Sequence, residues 1–77
     1  MKILIVDEDA QFVRYLRKLL TEFGYQSEFI SRPEYFFQAL DNISFQLILL
    51  NVHLTTTGGI ELLRQVKDHP LHCTIPV

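Results

Sequence analysis

The sequence predicts an α/β domain built on a parallel sheet. Two observations carry that reading. Short, continuous apolar runs alternate along the chain with segments whose apolar residues recur every three or four positions. The strand-helix order that results, repeated three times, is the signature of βαβ units.

The first run, Ile3-Leu4-Ile5-Val6, has no polar alternation, which marks a strand buried on both faces. Asp7-Glu8-Asp9 ends it, and Asp9 is placed to cap the next segment. There Phe12, Val13, Leu16, Leu19, Leu20 and Phe23 recur at helical spacing, with Arg14, Arg17 and Lys18 between them. Gly24 follows as the expected helix-terminating glycine. Tyr25 to Ile30 reads as a second strand, more polar and so nearer a sheet edge. Ser31-Arg32-Pro33-Glu34 has the spacing of a capping box, which opens a second helix over Pro33 to Leu40 that buries some combination of Phe36, Phe37 and Leu40.

Phe45 to Leu50 is the third strand and the most apolar stretch. A loop over Thr55-Thr56-Thr57-Gly58-Gly59 leads to a third helix marked by Ile60, Leu62, Leu63 and Val66, ending before Pro70. Ile75-Pro76-Val77 reads as the start of a fourth strand. The oilier strands one and three fit a flavodoxin-like order, with strand one between strands two and three and helices on both faces.

The 77 residues make one domain, expected over residues 1–77 and incomplete at its C-terminus. A net charge of −2 excludes a basic nucleic-acid footprint, so the Arg14, Arg17 and Lys18 cluster reads as a solvated helix face. No apolar run is long enough to span a bilayer. One cysteine, Cys73, allows no internal disulfide and fits a cytoplasmic protein. His69, His72 and Cys73 lie close in sequence, but a proline-broken segment with no fourth ligand is a poor soft-metal site. Gly58-Gly59 lacks the spacing of a phosphate-binding loop.

In open parallel sheets, sites form beyond the carboxyl ends of the strands where the strand order reverses. That selects Asp7 and Glu8 after strand one and Asn51 after strand three. Neighbouring strands are about 4.8 Å apart, so these side chains can converge. Gathered oxygens suit a hard cation; the competing reading is that the acids only favour the first helix's dipole.

Lys2-Ile3-Leu4-Ile5-Val6-Asp7-Glu8-Asp9 resembles the opening of bacterial response-regulator receiver domains. Gln46 to Leu54 resembles their third strand and phosphorylation loop, Gly58 to Leu63 the turn into helix three, and Ile75 to Val77 the entry to strand four. The resemblance implies a signalling module of a two-component phosphorelay, not an enzyme and with no catalytic residue. Asp7 and Glu8 match the acidic pair that holds magnesium, and His53 the residue whose backbone carbonyl is a metal ligand. Asn51 stands where the family has the aspartate phosphorylated by a histidine kinase. Thr55 replaces a usual proline and Gly58 a common acid, and the chain ends before the family's later Ser/Thr and Lys.

A carboxylate can attack phosphorus, whereas a carboxamide oxygen is neutral and a poor nucleophile. Asn51 also removes one negative charge, so magnesium binding is expected to be weak. The resemblance therefore implies a pseudo-receiver that acts through protein–protein interaction. The expected partner is a histidine kinase, another receiver or an effector domain, with no nucleic acid or membrane contact. The apolar third-strand edge, Leu47 to Leu50, is a candidate homodimer surface. The alternative is a fragment, or an Asp-to-Asn variant, of an ordinary response regulator whose parent is phosphorylated on aspartate.

Overall fold

The computed structural model describes residues 1–54 and 58–77. The elements are β1 (Lys2–Val6), α1 (Ala10–Glu22), β2 (Gln26–Ile30), a 3-10 turn (Pro33–Tyr35), α2 (Phe36–Asn42), β3 (Leu47–Leu50) and α3 (Gly59–Asp68). The sheet has the order β2-β1-β3, and both pairings are parallel. This is the predicted order, with Ile3 opposite both Ser27 and Leu47, and Val6 opposite Ile30 and Leu50.

Alternation along β1 divides the core. Leu4 and Val6 face α2 and α3 with Phe36, Leu40, Ile48, Leu62 and Val66. Ile3 and Ile5 face α1 through Val13, with Leu16, Leu20, Leu47 and Leu49 half-buried around them. Helices thus cover both faces, as expected of a strand that is apolar on both sides.

The α1 side is thinly covered. Val13 is the one fully buried residue of α1, while Phe12, Leu19 and Phe23 of the same apolar stripe are exposed. The stripe is wider than the contact that three strands offer it.

Both ends of α1 follow local chemistry. The Asp9 carboxylate accepts the Gln11 and Phe12 backbone N–H groups, both at 3.1 Å. At the other end the Tyr25 N–H reaches the Leu20 carbonyl and the Gly24 N–H that of Thr21. This Schellman arrangement needs Gly24 at φ +85°.

Four boundaries differ from expectation. The second strand begins at Gln26, because the Tyr25 N–H is committed to the helix end. The third begins at Leu47; Phe45 is buried core outside the ladder. The second α-helix is Phe36–Asn42, preceded by a separate 3-10 turn in which the Tyr35 N–H donates to the Arg32 carbonyl. That tight entry puts Arg32, not Ser31, at the cap, so the expected capping box does not form.

Ile75 to Val77 falls short of a strand, but the Ile48 N–H donates to the Pro76 carbonyl at 2.9 Å, beside β3. The Lys67 ammonium holds the same segment through the Ile75 carbonyl at 2.9 Å. Among the described residues no helix is long and apolar enough to cross a membrane. Of the expected Thr55 to Gly59 loop, Thr55, Thr56 and Thr57 lie outside the described residues.

Candidate functional site at the carboxyl edge of the sheet

The parallel order brings the ends of β1 and β3 together. The Asn51 N–H donates to the Val6 carbonyl at 2.9 Å, continuing the ladder one step past β3. Asp7 and Asn51 therefore leave the sheet side by side.

Their side chains meet. Asn51 Nδ2 donates to Asp7 Oδ1 at 3.3 Å, and the Asp9 backbone N–H donates to the same oxygen at 3.0 Å. Asn51 Oδ1 accepts the His53 backbone N–H at 2.9 Å. The carboxamide is thus used at both ends, and this network sets its orientation: nitrogen toward the acid, oxygen toward the backbone amide. Asp7 and Asn51 are both half-buried, so these bonds are partly shielded from water.

Of the four residues singled out by sequence, Asp7 and Asn51 are in direct contact. His53 joins them through its backbone N–H, and it is exposed. Glu8 points along the other flank, lining a cleft with Arg32 and Glu34, and it is not without a partner.

A hard cation at this site would draw on carboxylate and carbonyl oxygens, the right donor class for magnesium. The fit is poor at Asp7 Oδ1, which already receives two N–H groups. A cation taking that oxygen competes with the Asn51 amide and the Asp9 N–H for it. Among the described residues no three His, Cys, Asp or Glu side chains gather as a metal cage.

The sequence marks Gly59 only as part of a turn. It is packed against the site from behind. A Cβ there would lie 2.3 Å from the Asn51 carbonyl oxygen and 2.4 Å from Val52 Cα. The Gly59 N–H also donates to the Val52 carbonyl at 3.2 Å. The first turn of α3 therefore rests on the backbone that carries Asn51. The paired glycines were the available signal, but sequence does not show which one makes the close approach.

The His69, His72 and Cys73 group has a structural explanation. His69 stacks between Phe37, at 5.3 Å, and His72, at 4.5 Å. His72 Nε2 meets Asp41 Oδ1 at 2.9 Å, and His69 Nδ1 accepts the Leu71 N–H. These contacts fasten the chain after α3 to α2.

Residues 3–77 match the family described as the response regulator receiver domain, and the chain belongs to that family. The N-terminal domain of a response regulator receiver protein from Methanoculleus marisnigri JR1 is 29% identical, with a TM-score of 0.94 over 99% of this chain and 62% of that one. The signal receiver domain of a signal transduction histidine kinase from Syntrophus aciditrophicus is 32% identical, with a TM-score of 0.91 over 99% and 58%. The transcriptional regulatory protein GltR of Pseudomonas aeruginosa is 32% identical over 75 residues, which are 97% of this chain and 31% of that protein. The chain spans about a tenth to a third of the curated relatives it matches. It is a receiver domain of the two-component signalling class, and its flavodoxin-like sheet is the family's.

Proposed function

We propose that this receiver works without phosphorylation, as a protein-docking module. One observation carries the reading: the residue in the phosphoacceptor position, Asn51, is a carboxamide bonded at both ends, to Asp7 and to the His53 N–H. A neutral amide is a poor nucleophile toward phosphorus, and here one of its two oxygen lone pairs is already engaged by the His53 N–H. The Asn51–Asp7 bond also occupies part of the place where the family holds magnesium. Asp7, Glu8 and the His53 carbonyl are left as a weak cation site with one carboxylate fewer.

When bound, magnesium would offset the charge of a phosphoryl group. The chain's own residues here hold a neutral bridge between β1 and β3 instead. Signalling then rests on which surfaces the fold presents to a histidine kinase, another receiver or an effector domain. The exposed α1 stripe of Phe12, Leu19 and Phe23 suits this use, and self-association through β3 would have to displace the segment whose Pro76 carbonyl already takes the Ile48 N–H.

Magnesium calorimetry on the wild type and on Asn51→Asp tests the site. The expected result is no saturable heat for the wild type at about 10 mM magnesium, weaker than ordinary sensor sites, and measurable binding for the variant. Saturable sub-millimolar binding by the wild type would contradict the reading.

A further inference from the structure

Beyond the sheet's carboxyl edge, the molecule has a second concave surface, an open groove between α1 and the free edge of β2. Its walls carry four cations, Lys2, Arg14, Arg17 and Lys18, against one carboxylate, Glu28, in a chain whose net charge is −2. The Lys2–Glu28 pair, at 3.7 Å, accounts for one cation and the acid.

Arg17 is held in place from β2. Its Nε donates to Ser27 Oγ at 3.2 Å, Nη2 donates to the Ser27 carbonyl at 2.9 Å, and the guanidinium lies 5.3 Å over the Phe29 ring. A guanidinium has five N–H donors in a fixed plane, so the rest stay available in a pre-set orientation. Arg14 and Lys18 flank it on the same helix. Among the described residues neither has a hydrogen-bond or ion-pair partner. Glu22, one turn beyond Lys18, does not pair with it.

We infer that this groove binds an extended acidic segment of a partner protein, its carboxylates taken by Arg14, Arg17 and Lys18. Spacing supports an extended chain. Side chains four apart on a helix have Cβ atoms about 5–6 Å apart. Alternate residues of a strand are about 6.6–6.8 Å apart and lie on one side. An acid at every second position therefore meets Arg14 and Lys18 in turn. Phe29 and Tyr25, both exposed beside the cations, offer apolar contact to the backbone and intervening side chains.

Fluorescence anisotropy with a fluorescein-labelled peptide of alternating glutamate and threonine tests this. The same peptide with glutamine for glutamate and a labelled oligothymidine serve as comparisons. The glutamate peptide should bind, and its affinity should fall by roughly tenfold between about 50 and 300 mM salt. The exposed double variant Arg14→Glu, Lys18→Glu should lose at least about tenfold in affinity while keeping the wild-type circular dichroism. Arg64→Glu, on α3, should bind as the wild type does. Equal binding of the glutamine peptide, unchanged affinity in the double variant, or tighter binding of oligothymidine would each overturn the inference.

Discussion

Replacing Gly59 with alanine tests how tightly the site is built into the fold. Helix propensity alone makes the change favourable, since alanine in a helix is preferred to glycine by about 1 kcal/mol. The structure predicts the opposite sign. The new Cβ would sit 2.3 Å from the Asn51 carbonyl oxygen, where real contacts stay beyond 3.0 Å, so backbone must move by about 0.7 Å. The atoms in the way are main-chain atoms of Asn51 and Val52, not a flexible side chain. Overpacking of this kind costs about 1–3 kcal/mol, and loss of the Gly59–Val52 hydrogen bond about 1 kcal/mol more. Urea unfolding followed by circular dichroism should show a net loss of about 1–3 kcal/mol, a large share of a small domain's stability. Gly58→Ala is the control: nothing lies within 4 Å of its Cβ, and the change should be within about 0.5 kcal/mol. A Gly59→Ala protein as stable as the wild type, or more stable, would refute the close approach.

Three further outcomes follow from named contacts. Phe36→Ala empties a fully buried position between the sheet and α2 and should cost about 3–5 kcal/mol in urea unfolding. Asp9→Ala removes the acceptor for two N–H groups of α1 and should cost about 1 kcal/mol, with most of it retained in Asp9→Ser. On α3, hydrogen bonds from Arg64 and then Gln65 hold the Glu61 carboxyl below its ordinary value. A lowered folded-state value gives stability that is present above the unfolded-state value and lost as pH falls through the folded one. Arg64→Met should therefore flatten the acid limb of an unfolding-versus-pH curve, by a small amount that salt further reduces.

Much of the fold was legible because it rests on periodicity. The unbroken Ile3 to Val6 run marked a central strand, and that placement fixed β2 and β3 on either side of it. Asp9 and Gly24 were legible because a cap and a C′ glycine act on the next few residues. The failures came where a local signal met a tertiary demand. Ser31 and Glu34 had capping-box spacing, but Pro33 is buried, and the chain enters α2 through a 3-10 turn. Arg17 looked like part of a solvated face, yet its guanidinium reaches β2, because parallel crossover lays α1 against that strand.

The site was legible in the same divided way. Residue type and position after β1 and β3 brought Asp7 and Asn51 together. The double use of the Asn51 amide depends on the turn through His53, and the packing of Gly59 depends on where α3 lands. The first leaves no pattern in the sequence, and the paired glycines mark the second without showing which of them packs.

The most direct test is exposure of the chain to phosphoramidate or acetyl phosphate with magnesium, followed by intact-mass measurement under conditions that preserve acyl phosphates. The expected spectrum contains the unmodified chain only, because Asn51 offers an engaged carboxamide in place of a carboxylate. A mass increase of one phosphoryl group, mapped to the segment carrying Asn51, would contradict that reading.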